Sequence, residues 1–258
     1  MFGNYILPFA AVLIVCQWSC MDEPSGEASI RIKTNIAVAE PEIQYGITRL
    51  TENNPGGVIL TNNHADYTFT GLIDSINYAS EAFEIVVDRK EITIHAGDPK
   101  GMMYALLDVK EQFNQGKLIT PKKESPEVSF RAIKFNLPWM SYRQGEALQV
   151  HKETCRDPVF WREFLDMMAE NRFNVLTLWS LHPFHLMVKT EKYPEACPLT
   201  DSELAEWQQF WTDLFRMARE RGIETYLVTW NLFVSPSFAQ ANSVATYSID
   251  KKYIVDQG

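Results

Sequence analysis

The segment from Arg131 to Val234 alternates between strand-like and helix-like runs, and this alternation restricts the fold more than any other feature of the chain. Strand-like runs occupy residues 131–136, 173–179 and 223–234, and amphipathic runs with helical spacing separate them. Strands that alternate with helices and are apolar on both faces are typical of a parallel sheet whose two faces are covered. The segment therefore predicts an α/β fold with three successive β/α units.

The two helices between these strands carry sequence signals at their ends. Asp157 followed by Pro158 is typical of a helix start, because Asp accepts from free amide groups and Pro suits the first turn. Thr200 and Glu203 have the spacing of a capping box, and Gly222 is placed to end the second helix in a left-handed conformation. Both helices are therefore predicted with defined starting points.

Three β/α units fit either a (β/α)8 barrel or a doubly wound sheet, and two observations favour the barrel. No Gly-rich phosphate-binding turn follows the first strand. Each strand also ends in polar or aromatic residues, at the end where barrel enzymes carry their sites. The alternative is that these are ordinary loop residues and that the tryptophans pack in the core. The residues expected to converge on one mouth are Asn136, Trp139, Trp179, His182, Trp230 and Asn231, with Trp230 and Asn231 the strongest candidates.

Residues 29–120 are predicted to form a separate small α/β domain with a mixed sheet. A helix is expected after Asp98 and Pro99, which together form a helix start signal. Residues 121–130 have the composition of a linker and lead into a partial barrel of residues 131–258. The other expected elements of the small domain are a helix from Pro41 to Leu50 and strands at 29–33, 58–60, 83–87 and 92–96, the last two forming a hairpin.

The helix after the hairpin begins with Gly101-Met102-Met103-Tyr104-Ala105-Leu106-Leu107, which resembles the Gly-Leu-x-Tyr pattern of the small domain in family 20 β-hexosaminidases and family 67 α-glucuronidases. Four later stretches resemble successive passages of the barrel in these enzymes. The resemblance covers roughly Ser29 to Val234, and it implies a glycoside hydrolase with a small α/β domain, a TIM barrel, a carbohydrate substrate and no cofactor. The four stretches are Arg131 at the head of the first strand, Asn171 to Leu176, Tyr193 to Glu195, and Arg221 to Glu224.

The resemblance adds Arg131 to the six strand-end residues as an implied sugar contact. Two departures from the family pattern concern this set. Asn136 stands where hexosaminidases usually carry Asp, and residues 178–183 alter their His-containing motif after the second strand. An aromatic ring can stack on the apolar face of a sugar, and an Asn side chain can both donate to and accept from a hydroxyl. The expected sugar-contacting residues are therefore Arg131, Asn136, Trp139, Trp179, His182, Trp230 and Asn231.

Glycoside hydrolysis requires a pair of carboxylic acids, and no pair in this chain is convincing. Asp201 is explained by its place at a helix start, Glu195 lies in a loop, and Glu224 begins a strand at the wrong end of a barrel. A barrel typically needs about 250 residues, and about half of that length follows residue 130. The catalytic carboxylates are therefore expected beyond this chain, which alone should be inactive. A non-catalytic carbohydrate-binding or structural lipoprotein and an inactive fragment are the alternatives.

Residues 1–20 differ from the rest, because Tyr5 to Val15 is an apolar run of signal-peptide length. Ser19 and Cys20 resemble the end of a lipobox, which predicts lipidation of Cys20, and residues 21–28 are polar and acidic, as a tether would be. An uncleaved anchor helix and a signal removed without lipidation are the alternatives. The segment predicts an exported bacterial protein, either a lipoprotein of the outer membrane or cell surface or a periplasmic protein.

The net charge of −9 and the pI of about 5.1 argue against a nucleic-acid partner, which requires a basic face. Membrane contact is expected only through the N-terminal lipid anchor. His182 and His185 are three residues apart, but no third metal ligand lies near them, so no metal site is expected. Cys155 and Cys197 form no metal motif and are expected either to pair or to remain free thiols.

Overall fold

The computed structural model describes residues 30–52, 57–139, 146–229 and 233–242, together with the backbone of residues 245–247 and 253–255. The predicted signal segment, Cys20 and the tether therefore lie outside the described residues. None of the helices in the described ranges combines the length and apolar composition that crossing a bilayer requires.

The first part of the chain forms a mixed sheet with two helices, as the sequence predicts. The two predicted helices and four predicted strands are all present, and their ends differ from the expected ones by only a few residues. The elements are β1 Ile30–Thr34, α1 Pro41–Thr51, β2 Val58–Leu60, β3 Tyr67–Ile73, β4 Phe83–Asp88, β5 Glu91–Ala96, α2 Pro99–Asn114 and β6 Lys122–Glu124.

The six strands follow the order β2-β1-β3-β5-β4-β6. β1 pairs in parallel with β2 and β3, and β3 pairs in parallel with β5, whereas β4 runs antiparallel to β5 and β6. The core between sheet and helices includes Phe69, Ile94, Met103 and Leu106, each at most 1% exposed. The small domain therefore has an apolar core of its own.

Two strands of this sheet lie outside the sequence prediction, for different reasons. β3 contains Gly71, and glycine weakens a strand pattern. A Cβ at Gly71 would lie 2.9 Å from both Ile36 Cγ1 and Met102 Cε, so any larger residue there would require these two side chains to shift. β6 falls within the predicted linker, and its three charged residues, which do not read as a strand in the sequence, suit the edge of the described sheet, where β6 pairs with β4.

The Gly101 motif has a structural explanation. The Asp98 side chain caps α2 by accepting from the amide of Gly101 at 2.8 Å. A Cβ at Gly101 would lie 2.4 Å from the carbonyl oxygen of Ala82, so only glycine lets the helix approach the sheet this closely. The motif therefore serves helix packing, as expected.

The second part of the chain contains a three-stranded parallel sheet in the order β7-β8-β9. The predicted helix starts are confirmed: the Asp157 side chain accepts from the amide of Val159 at 2.8 Å, and Thr200 with Glu203 forms the capping box. Gly222 has the expected positive φ, +65°. The elements are β7 Ala132–Asn136, α3 Ala147–Thr154, α4 Pro158–Glu170, β8 Val175–Trp179, α5 Asp201–Glu220, β9 Glu224–Val228, α6 Pro236–Ala241, β10 Ala245–Tyr247 and β11 Tyr253–Val255.

Two expectations about this sheet are wrong. The third strand, predicted to continue to Val234, ends at Val228, and a short helix begins at Pro236. The sheet is also covered on one face only within the described residues: α4 and α5 pack on the side of Phe135 and Leu178, whereas Tyr226 and Val228 on the other side are 45% and 39% exposed. Successive side chains of β9 point to opposite faces, so Leu227 packs on the helix side while Tyr226 and Val228 lie on the more exposed face.

The two parts of the chain are joined by charged side chains as well as by apolar packing. Asp166 of α4 accepts from the hydroxyl of Tyr45 at 2.9 Å and from Arg221 Nε at 2.6 Å. One turn further along α4, Glu170 accepts from Arg49 at 2.6 Å. These contacts fix α1 of the small domain against α4 and the end of α5.

Candidate functional site

The carboxyl ends of the three parallel strands lie side by side, as the predicted mouth requires. Asn136 is in register with Trp179, and Trp179 is in register with Val228. Backbone bonds continue past the strand ends, from the Leu137 amide to the Trp179 carbonyl at 2.8 Å and from the Ser180 amide to the Val228 carbonyl at 3.1 Å. The last residues of the strands therefore form one continuous edge.

Asn136 and Trp179 occupy the sheet face that the helices leave open. Asn136 is exposed and Trp179 is half-buried. Lys134, two residues before Asn136 on the same face, holds its ammonium group 5.0 Å from the centre of the Trp179 ring. Lys134 is absent from the predicted set, although its spacing of two from Asn136 on a strand was the signal that could have found it.

Trp139 belongs to the helix side of the sheet and not to the open face. Its ring makes edge contacts with Trp207 at 4.8 Å and with Trp211 at 6.0 Å, both on α5. Its carbonyl accepts from the hydroxyl of Ser180 at 2.9 Å. Trp139 therefore packs in the core against α5, which is the alternative to a sugar-binding role, and it does not face the open edge.

Arg131 lies at the opposite, amino end of β7, where it connects the two parts of the chain. Its guanidinium donates to the carbonyls of Arg172 and Val128, at 2.6 Å each, and to the carboxylate of Glu81. Glu81 also accepts from Asn174 at 2.9 Å. The strand therefore separates Arg131 from the candidates at the mouth, and a contact between Arg131 and sugar stays a prediction.

A cavity of about 220 Å³ lies next to the strand ends, between the loop after β8 and the start of α6. His182 follows the last residue of β8 by three positions, and its imidazole stacks on that of His185 with the ring centres 5.8 Å apart. The rings of Tyr193 and Phe238 meet edge to face at 5.6 Å. The cavity is lined chiefly by His182, Phe184, His185, Val188, Tyr193 and Phe238.

Both histidines of this cavity are neutral at pH 7. Burial and the neighbouring His185 lower the pKa of His182 to about 4. Burial also lowers the pKa of His185, although a hydrogen bond to the backbone of His182 partly opposes this. That bond joins His185 Nδ1 to the His182 carbonyl at 2.8 Å. Because a carbonyl oxygen only accepts, Nδ1 carries the proton and Nε2 is left as an acceptor.

The acidic residues near this loop do not have the properties of a general acid. The Asn242 side chain donates to Glu195 at 2.8 Å and holds the pKa of that carboxyl below its ordinary value. The Lys189 ammonium donates to Asp201, also at 2.8 Å, and lowers the pKa of that carboxyl. A glycosidase acid needs a raised pKa, so neither carboxylate is suited to that role. Glu224 lies at the amino end of β9, 3.6 Å from Lys100.

Two of the predicted site residues belong to the segment after β9. Trp230 and Asn231 lie outside the described residues. Thr229, just before them, donates to the carbonyl of Leu181 at 2.6 Å and so connects the end of β9 to the loop after β8.

Cys155 and Cys197 are both buried free thiols. Within the described ranges, no three His, Cys, Asp or Glu side chains are grouped so that they could hold a metal ion.

No protein-family model matches the chain, and no curated protein matches it. Solved structures do match. A GH138 enzyme targeting pectin rhamnogalacturonan II superposes with a TM-score of 0.70 and 24% identity, covering 81% of this chain and 26% of that one. A mutant Streptomyces plicatus β-hexosaminidase in complex with its GlcNAc product superposes with a TM-score of 0.55 and 12% identity, covering 88% of this chain and 46% of that one. A GH20 exo-β-N-acetylglucosaminidase from Vibrio harveyi in complex with N-acetylglucosamine superposes with a TM-score of 0.53 and 12% identity, covering 90% of this chain and 39% of that one.

These matches establish the fold. Sequence identities this low do not establish a shared activity. The chain spans between about a quarter and a half of the length of these structures. The likeness confirms the α/β fold class and the resemblance to family 20 enzymes. The chain has the fold of the corresponding part of a glycoside hydrolase, with a small mixed-sheet domain followed by three β/α units.

Proposed function

We propose that this chain is the N-terminal portion of an exported or lipid-anchored glycoside hydrolase and that it contributes sugar-binding side chains, with the catalytic carboxylates on other parts of the enzyme. The observation that carries the proposal is the pairing of Asn136 with Trp179 at the carboxyl ends of adjacent parallel strands. Sites of barrel enzymes are built at this end. The step from fold to activity rests on analogy with the structural neighbours.

The chemistry of the strand ends suits a glycan. The Trp179 ring offers a flat apolar surface for a sugar ring, and the Asn136 amide offers one donor group and one acceptor group to hydroxyls. The Lys134 ammonium lies over one face of the indole, 5.0 Å from its centre, and a sugar ring that stacks on that face would displace it. His182 extends the surface towards the cavity as a neutral imidazole. The substrate class that we propose is a polysaccharide or glycan oligosaccharide, as for the neighbours that act on pectin or carry GlcNAc.

A glycan-binding experiment on the chain tests this proposal. Calorimetry with pectin-derived and chitin-derived oligosaccharides should detect binding to the unchanged chain. Trp179→Ala should weaken it by about 1–3 kcal/mol, the range for a lost aromatic contact at the centre of an interface. Tyr226→Ala is the matched control, because Tyr226 is an exposed aromatic of the same sheet face that lies one layer further from the strand ends. Absence of binding to every glycan, or equal affinity of both variants, would overturn the proposal.

The lipid anchor is a separate proposal that rests on Ser19 and Cys20 at the end of the apolar N-terminal run. Export to the outer membrane, cell surface or periplasm follows from the same segment. Mass spectrometry of the N-terminal peptide from membrane fractions should find diacylglycerol on Cys20. Unmodified Cys20, or a mature chain that starts elsewhere, would contradict the anchor and leave glycan binding unaffected.

A non-catalytic carbohydrate-binding lipoprotein is the second candidate. The lowered pKa values of Glu195 and Asp201 fit it as well as they fit the first candidate, since neither carboxylate is adjusted to act as an acid. Glycan binding would support both candidates. They differ in whether the complete protein hydrolyses the glycan that this chain binds.

A further inference from the structure

The cavity beside the strand ends has dimensions that suit one sugar unit. Its volume is about 220 Å³, below the roughly 300–1,000 Å³ of sites for drug-sized ligands. It opens next to the proposed binding edge, because His182 comes three residues after Trp179 and Thr229 bonds to the intervening Leu181. A glycan lying across Trp179 could therefore place a neighbouring unit in this cavity.

The walls of the cavity are predominantly apolar. Phe184, Val188 and Phe238 contribute side chains without polar atoms. The rings of Phe238 and Tyr193 meet edge to face and together form one wall. Of the described residues, no Lys, Arg, Asp or Glu lines it. Burying a carboxylate where no cation can pair with it is costly. A charged sugar is therefore disfavoured in this cavity.

Most polar atoms of the cavity are already engaged within the protein. The Thr190 hydroxyl donates to the Tyr193 carbonyl at 3.1 Å, and the Ser235 hydroxyl caps α6 by accepting from the Phe238 amide at 3.2 Å. His185 Nδ1 is bonded to the His182 carbonyl at 2.8 Å, which leaves its Nε2 as an acceptor. The cavity can therefore accept a hydroxyl at the imidazoles while apolar surface surrounds the rest of the ligand.

We propose that this cavity binds an uncharged sugar unit with a methyl group, such as a 6-deoxyhexose, placing the methyl group against Phe184, Val188 and Phe238 and a hydroxyl against His185 Nε2. This inference rests on the proposed glycan-binding function and specifies one subsite of it. The methyl group gains from apolar burial, whereas a hydroxymethyl group at the same position would lose a hydrogen bond to water.

Three matched sugar series test the preference, those of glucose, galactose and mannose. In each series the probe is the methyl glycoside in which C6 is a methyl, a hydroxymethyl or a carboxylate carbon, so that only the group attached to C5 changes. Titrations followed by NMR should show about tenfold tighter binding of the 6-deoxy member than of the hexose in at least one series. The uronate should be the weakest member. Tightest binding of the uronate or of the hexose in every series would overturn the inference.

Two variants connect this preference to the cavity. Val188→Lys places a cation at a half-exposed wall position that tolerates substitution, and it should favour the uronate over the 6-deoxy sugar. His185→Phe should weaken all three members of a series without changing their order. An unchanged order in Val188→Lys would place the binding elsewhere and overturn the inference. If oligosaccharides bind through Trp179 but the uronate or the hexose binds more tightly than the 6-deoxy sugar, the subsite is wrong and the glycan-binding function stands. If no glycan binds at all, the proposed function fails together with the subsite.

Discussion

The Glu81 carboxylate accepts from the side-chain amide of Asn174 at 2.9 Å, although the two residues lie 93 positions apart in the sequence. Glu81 is only 8% exposed and has a positive φ of 64°, a conformation that costs energy for a residue with a side chain. The same carboxylate pairs with Arg131 at the head of β7. One strained acidic residue of the small domain thus anchors the start of the parallel sheet.

We predict that Glu81→Ala destabilises the chain by about 3 kcal/mol, because it leaves the partly buried Arg131 guanidinium without its carboxylate. Urea denaturation measures the change. Asp213→Ala is the control, since Asp213 pairs with Arg216 on the exposed face of α5 and its loss should cost about 0.5 kcal/mol or less. Equal effects of the two substitutions would show that the Glu81 contacts contribute no more than a surface pair.

Limited proteolysis should leave a fragment of the small domain. Its core is formed almost entirely by its own residues, with only Ala169 contributed from outside, whereas the parallel sheet has one exposed face and a free edge at β9 in the described structure. Because β6 pairs with β4, the cut should fall after Glu124 and not within residues 122–124. Equal resistance of both parts, seen by gel and mass spectrometry, would contradict this prediction.

Acidification should destabilise the chain before its carboxylates titrate. The folded protein holds the pKa of His182 at about 4, below the ordinary 6.5, because the imidazole is buried. The unfolded chain therefore takes up a proton as the pH falls through about 6.5 while the folded chain does not, and stability decreases between these two values. Urea midpoints at about pH 7 and about pH 5.5 should differ less in His182→Asn than in the unchanged chain.

The exposed His64 provides the control for this experiment. Its positive φ of 51° is a conformation that Asn tolerates, so His64→Asn should fold normally and keep the full pH dependence. A His182→Asn variant whose urea midpoint falls with pH as steeply as that of the unchanged chain would show that His182 does not cause the loss.

The chain alone should not turn over aryl glycosides or uronides. Asn242 and Lys189 keep Glu195 and Asp201 ionised by lowering their pKa values, and a general acid for glycoside hydrolysis must be protonated before it acts. A sensitive release assay for the aryl group checks this. Turnover that disappears on one carboxylate-to-amide substitution would show that a catalytic acid lies within the chain.

The helix starts were predictable from the sequence because their hydrogen bonds join residues only two or three positions apart. Asp98 bonds to the amide of Gly101, Asp157 to that of Val159, and Thr200 to that of Glu203. Such contacts depend on local spacing and not on the rest of the fold. The alternation of strands with helices was predictable for the same reason, since each run shows its own period.

The assignment of individual side chains to the site required the tertiary structure. Arg131 and Asn136 are polar residues at the two ends of β7. Arg131, just before the strand, meets the small domain, whereas Asn136 reaches the open edge at the other end. Trp139 follows β7 by three residues and Trp179 is the last residue of β8, but Trp139 packs on α5 whereas Trp179 lies beneath Lys134.

The sequence by itself therefore determined the fold class, the order of most of its elements and the ends of the first two parallel strands, Asn136 and Trp179, all of which depend on short-range patterns. The tertiary structure decided which of those residues face the open edge and which form the domain contact or the core. It also brought His182, Tyr193 and Phe238 together around one cavity. These outcomes depend on the register of β8 with its neighbours and on the packing of α1 against α4, which join residues far apart in the chain and leave no local sequence pattern.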